Sequence, residues 1–159
     1  YRMHSEYLRS LYLRNDLFEG RYRVFGRPVA LGDIKAPVFA VSTEKDHVSP
    51  WRSVYKIHLL EEMSITFVLT TGGHNAGIVS EPGHKGRRYR IAERKPADPY
   101  LDPETWYHNA RLEEGSWWPA WLRWLDEHSS GLTAPPEIGA RAKGYPPLAD
   151  APGRYVLER

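Results

Sequence analysis

Cysteine is absent from the 159 residues, which excludes disulfides, thiolate metal sites and a cysteine nucleophile among them. Net charge is nearly absent as well: 22 Lys and Arg stand against 20 Asp and Glu, a formal +2. That is too little for the electrostatic footprint of a nucleic-acid binder, and no basic helix or aromatic-interleaved basic patch accompanies it. No apolar run reaches the ~18 residues of a membrane span, and these residues lead us to expect neither a span nor a secretory leader. A cytoplasmic setting, with no transmembrane segment, is the expectation. Methionine is scarce; the chain begins at Tyr1 and the first Met is Met3, which reads as a piece of a longer polypeptide.

Other residues are plentiful. Thirteen Pro and thirteen Gly imply many loops. Six Trp and ten Tyr exceed the needs of packing alone and point to a large aromatic cluster or an exposed apolar face. A chain of this length makes one domain, able to bury roughly 70% of its unfolded surface. There is no internal repeat.

Along the chain, residues 3–14 put Tyr7, Leu8, Leu11 and Tyr12 on one helical face, with Asn15 and Asp16 as stop residues. RYRVFGRPVAL reads as two short strands folded back at Phe25–Gly26–Arg27, with Pro28 at an edge. Asp33 is placed as the cap of a single helical turn. Val38–Thr43 is a β-rich apolar run expected to be covered on both faces. Ser49 is the expected cap, and Pro50 the first residue, of a helix over Pro50–Met63 that carries Val54, Ile57, His58 and Glu61 at spacings of three and four. Ile65–Leu69 is the second strand, and Thr70–Gly77 a glycine-rich turn. Val79–Pro103, with four prolines and little periodicity, reads as a long surface loop. A short helix over Pro103–Arg111 follows. Ser116 then caps a helix over Trp117–His128 that Gly131 ends, with Trp117, Trp121, Trp124 and Leu125 on one face. Residues 132–159 form an extended Pro/Gly-rich tail packing on the 1–131 domain. The fold class is α/β, built on parallel strands with a crossover helix.

The chemistry concentrates at the ends of the two strands. Asp46 follows the first and His74 the second, so neighbouring strand ends deliver an acid and an imidazole. In a catalytic pair the carboxylate fixes the imidazole tautomer, and the imidazole takes a proton from a nucleophile. The plainer alternative is a turn-capping aspartate and an ordinary loop histidine. His47 is the expected structural neighbour of Asp46. A zinc reading would gather Asp46, His47, His74 and His84, but their spacing matches no strong metal pattern. TTGGHNAG (70–77) lacks the P-loop Lys-Ser/Thr and the dinucleotide fingerprint, so its glycines serve a turn. Lys85, Arg87, Arg88, Arg90, Arg94 and Lys95 face one acid, Glu93; they form either a solvated charge run or a grip on a phosphorylated substrate such as a coenzyme A ester. The tryptophans of 117–124 read as core or interface. Neither Ser49 nor Ser80 sits in a strand–turn–helix elbow, so no serine replaces the missing nucleophile.

The strings EKDHVSPW (44–51), GGHNAGIVSEP (72–82), EGSWWPAWLRWL (114–125) and APGRYV (151–156), in this order and spacing, resemble the C-terminal part of polyhydroxyalkanoate synthases, the class I type in particular. LRSLYLRNDL (8–17) resembles the segment leading into it. The resemblance implies the C-terminal half of an α/β-hydrolase fold, truncated before the nucleophile elbow. It implies an acyltransferase that polymerises (R)-3-hydroxyacyl-CoA into a growing polyester chain with release of coenzyme A. Asp46 and His74 match the family's catalytic aspartate and histidine, and a cysteine in an upstream part of the same enzyme would complete the site. Asp46 would either orient His74 or help activate the incoming 3-hydroxyl. The resemblance further implies no metal and no cofactor, a polyester-granule surface location and a homodimer, and an isolated chain without synthase activity. The alternatives are a non-catalytic module that binds granules or a partner, and a related depolymerase or thioesterase.

Overall fold

In the computed structural model, which describes residues 1–60 and 62–158, the chain opens with α1 (Arg2–Tyr7), continued by wider π-type turns over Leu8–Leu13. Asn15, at φ 53°, stops it in the left-handed conformation that asparagine tolerates well. None of the residues in this stretch is buried, so the expected apolar face meets no core. β1 (Arg23–Val24) and β2 (Arg27–Pro28) pair as the expected antiparallel hairpin. A 3-10 turn spans Leu31–Asp33; Asp33 is its last residue and not its cap, since Ala30 holds the cap position.

β3 (Val38–Thr43) and β4 (Ile65–Thr70) run parallel in one register, Val38 opposite Ile65 through Thr43 opposite Thr70. The connection between them is shorter and tighter than one continuous helix over Pro50–Met63. α2 (Trp51–Val54) passes into a 3-10 segment at Tyr55–Leu59, and Leu60 is already extended. The cap residue is Pro50, not Ser49. The tightening has a packing reason. In a 3-10 helix residues three apart eclipse, so Tyr55 and His58 fall on one line and both bury. Val54 and Ile57 pack at the margin of that face; Glu61, expected beside them, lies outside the described residues.

The larger departure is the stretch expected to be a long loop over Val79–Pro103. Arg88–Arg94 is a strand, β5, antiparallel to β4 along its whole length. β4 is buried on both faces, and an unpaired β4 edge would strand its backbone polar groups away from water. β5 supplies the partners. Its alternation is concealed by charge: Tyr89 and Ile91 pack on one face of the sheet, while Arg90, Ala92 and Arg94 share the other. Buried Arg94 donates from its guanidinium to the carbonyls of Leu60 (2.7 Å) and Met63 (3.0 Å), tying down the end of the crossover. Arg90 lies 4.2 Å over the Tyr107 ring and donates to the Ala110 carbonyl. These arginines serve the fold, so residues 85–95 are not a free basic loop.

α3 (Pro103–Asn109) starts on Asp102, whose carboxylate accepts from the Glu104 and Thr105 amides, both at 3.0 Å. β6 (Arg111–Glu114), which the sequence did not announce, adds the outer strand to give the order β3-β4-β5-β6. α4 (Trp118–Glu127) follows, one residue shorter at each end than expected, with Ser116 accepting from the Trp118 amide as its cap.

The sheet is filled from both sides. Ile65, Phe67 and Leu69 pack with Trp51, Tyr55, Met63, Trp106 and Ala110 beneath α2 and α3. Val68 packs with Tyr89, Trp117 and Ala120 beneath α4. β3 is the edge strand opposite β6: Ser42 and Thr43 are buried and its first four residues only partly so. Aromatic rings gather around Tyr55, which stacks on His58 at 4.0 Å and meets Phe67 edge-on at 5.3 Å, and around Phe39, Trp117, Trp121 and Trp124 on the other side, whereas Tyr1, Tyr12, Tyr145 and Tyr155 stay exposed. By contacts the chain divides into Tyr1–Glu127 and His128–Arg159. The second unit holds one bridge, Ala140 with Tyr145, and two 3-10 turns; among its described residues the rest is irregular, and Arg159 lies outside them. No described helix is long and apolar enough to cross a membrane.

Phe67 is fully buried, so Phe67→Ala is expected to cost about 3–5 kcal/mol, read from the urea midpoint at unchanged slope. His58 tests the pH response. Burial lowers its pKa, with the nearby Arg94 charge adding to the effect. A lowered histidine pKa means that the unfolded chain binds the proton first. Stability is therefore full above the ordinary histidine range and falls as pH drops through it. His58→Phe is expected to flatten the stability–pH curve between about pH 7 and 5; an unchanged curve would contradict the buried neutral imidazole.

Candidate active site

The β3–β4 ladder does not stop at the strand ends. Glu44 N–H donates to the Thr70 carbonyl at 2.9 Å and Lys45 N–H to the Gly72 carbonyl at 3.0 Å. These two bonds carry the pairing into the loops and bring the next residues of each chain together. Asp46 and His74 meet there, with Nδ1 of the imidazole 2.9 Å from Oδ2 of the carboxylate.

Two glycines make the approach possible. Gly72 adopts φ +116°, and a Cβ there would lie 2.8 Å from the Gly77 nitrogen. At Gly77 a Cβ would come within 2.4 Å of Thr43 Cγ2 and 3.0 Å of the Thr71 carbonyl. The turn after β4 thus folds directly onto the last residue of β3. A side chain at 77 would lever it away.

The two partners have different surroundings. The Asp46 side chain is only 9% exposed, whereas that of His74 is 48% exposed. Asp46 Oδ1 accepts from the amides of Val48 and Ser49, both at 2.8 Å. Ser49 therefore contributes its N–H to this carboxylate instead of its hydroxyl to a helix end. The Ser49 amide first, and the His74 ring next, hold the Asp46 carboxyl below its ordinary range. Stability from these bonds is present above the usual carboxylate range and is lost as pH falls through the lowered value.

A carboxylate can only accept, so Nδ1 of His74 carries the proton and Nε2 is left with its lone pair. No bond from the described residues engages Nε2. The arrangement is chemically that of a base: a partly covered, fixed carboxylate behind an exposed imidazole whose outer nitrogen can take a proton.

The other candidates fall elsewhere. His84 bonds the Lys85 carbonyl, and among the described residues no three His, Asp or Glu side chains converge as a metal site. Arg90 and Arg94 are engaged as described, and the Arg87 guanidinium packs against the Gly72 turn. Sequence reasoning misses the amides of Val48 and Ser49 and the Gly77–Thr43 approach. An Asp two and three residues before free amides is a usable signal for the first; the second depends on two strands lying side by side.

No protein-family model matches the chain. It is 41% identical over 137 residues to poly(3-hydroxyalkanoate) polymerase 2 of Ectopseudomonas oleovorans, covering 86% of this chain and 23% of that protein. It is 37% identical over 158 residues to the poly(3-hydroxyalkanoate) polymerase subunit PhaC of Rhizobium meliloti, covering 98% and 24%. To the PhaC subunit of Cupriavidus necator it is 34% identical over 151 residues, covering 94% and 25%. The chain spans about a quarter of the length of the curated relatives it matches.

Gly77→Ala is expected to destabilise the fold by about 1–3 kcal/mol through overpacking against Thr43. Thr43→Ser, which removes the offending methyl, should recover part of that loss in the double variant. Additive losses in urea denaturation would show that the two positions do not press on each other.

Proposed function

We infer that the chain belongs to the poly(3-hydroxyalkanoate) polymerases and forms the C-terminal part of one. The contact that carries the reading is His74 Nδ1 to Asp46 Oδ2 at 2.9 Å, made by the two residues that match the family's acid and imidazole. In this reading β3–β6 are the C-terminal half of an α/β-hydrolase sheet. The intact enzyme joins (R)-3-hydroxyacyl units from coenzyme A thioesters into polyester at the granule surface. Its thiol comes from polypeptide outside these residues, which hold no cysteine.

Nε2 of His74 takes the proton of that thiol, and the thiolate attacks the thioester carbonyl. The C–S bond to coenzyme A breaks, and the departing thiolate recovers the proton from the imidazolium. The 3-hydroxyl of a second acyl unit then attacks the enzyme-bound thioester and gives its proton to Nε2; the new ester C–O bond forms, the C–S bond to the enzyme thiol breaks, and the departing thiolate recovers the proton from the imidazolium. Asp46 holds the ring in the required tautomer and offsets the imidazolium charge. Between its two open roles, the geometry favours orientation: three donors already occupy Asp46, and its side chain is nearly buried while the imidazole faces out.

The test is made in the intact polymerase. Asp46→Asn keeps an acceptor for the Val48 and Ser49 amides but turns a donor towards Nδ1, inverting the tautomer. It is expected to lower kcat roughly a thousand- to ten-thousand-fold, and His74→Ala comparably, measured by coenzyme A release. Full activity in both variants would refute the assignment. A homodimer is the proposed assembly of the intact enzyme, resting on the resemblance to the family; the free edge of β3, which among the described residues pairs only with β4, is where this reading places the upstream strands of the same sheet. Light scattering of the same preparations should give twice the monomer mass, and a monomer at high concentration would remove that part of the reading.

A further inference from the structure

His74 is anchored on one side by β4 and on the other by a turn. Within the turn the amides of Gly77, Ile78 and Val79 donate back to the carbonyls of Gly73 (3.0 Å), Asn75 (3.1 Å) and Asn75 again (2.9 Å). The carbonyls that follow have no such partner within the turn, the ordinary condition of a helical end. Here they meet side chains from the corner before α4. Trp117 Nε1 donates to the Gly77 carbonyl at 3.1 Å and Trp118 Nε1 to the Ile78 carbonyl at 3.0 Å. The buried Ser116 hydroxyl donates to the Ser80 carbonyl while accepting from the Trp118 amide.

We propose that Trp117 and Trp118 are positioning residues for His74, their indole N–H groups capping the carbonyl end of its turn and holding the imidazole against Asp46. The Trp117 indole is itself firmly held, since its ring is buried and packs on Phe39 at 6.3 Å and Trp121 at 6.0 Å. Apolar packing explains a ring at 117. It does not explain two adjacent rings whose indole N–H groups both end on consecutive carbonyls of the turn that bears the base. The effect on the reaction rests on the reading of His74 and Asp46 as the polymerase's base and its carboxylate; the effect on the turn does not.

The test exchanges tryptophan for phenylalanine, keeping a ring and removing the donor. In the full 159-residue chain, Trp117→Phe/Trp118→Phe is expected to broaden or abolish the downfield proton signal of the His74 Nδ1–H bonded to Asp46. Amide exchange at Ile78 and Val79 should accelerate roughly ten-fold. Trp106→Phe, the same exchange on an indole packed on the opposite face of the sheet, should leave both unchanged. In the intact polymerase the double variant should lose roughly 10- to 100-fold in kcat at unchanged KM. If the double variant unfolds, Trp118→Phe alone, at a half-buried ring, gives the same readouts. An unaltered signal and unaltered exchange in a folded variant overturn the proposal. Should Asp46→Asn still abolish polymerisation while the tryptophan variants retain full kcat, the functional reading stands and the positioning role falls.

Discussion

The parallel, in-register pairing of Val38–Thr43 with Ile65–Thr70 is the constraint on which the rest of the molecule depends. Because the ladder continues through Glu44 and Lys45 into the following loops, the residues just beyond each strand are delivered to the same place. A one-residue slip would invert every side chain of one strand with respect to the core, and would also shift Asp46 past His74. The burial of Ile65, Phe67 and Leu69 on one face and Val68 on the other fixes that register. The hydrophobic core and the chemistry thus share one geometric cause.

Around that pairing the surrounding elements divide the work. The crossover and α3 fill one face with aromatic rings, and Arg94 ties the end of the crossover to β5. On the opposite face α4 and its preceding corner pack Trp117 under the turn of His74. The carboxylate is directed inward, to two amides and the ring nitrogen, and the imidazole is presented outward. A well-anchored acid behind an exposed base is a sensible division: the first needs fixed partners, the second needs room for a substrate.

Much of this was legible in the chain. The strands 38–43 and 65–69, the hairpin at Phe25–Gly26, the cap at Ser116 and the placement of Asp46 and His74 just past neighbouring strands followed from local composition and order, while the contact between those two side chains stayed one of two readings. The strand Arg88–Arg94 did not, because its period-two signal is masked by arginines at 88, 90 and 94. Their long stems can line an interior face, and the heads of Arg90 and Arg94 find carbonyls or a ring. The helix over Pro50–Met63 came out shorter because Tyr55 and His58 bury best on a three-residue repeat. Both misreadings share a source: what decided each was a surface supplied by another part of the sheet.

The sequence by itself determined which groups are available: an acid and an imidazole each placed just past an apolar strand, glycines where a turn must close, and no thiol at all. These are properties of single positions and near neighbours, so local reading reaches them. Only the tertiary structure decided that Gly77 lies against Thr43, that β5 closes the edge of β4, and that two indoles end on the carbonyls of Gly77 and Ile78. Each of those joins residues distant in the chain, and a contact across that distance exists only once the intervening elements have packed.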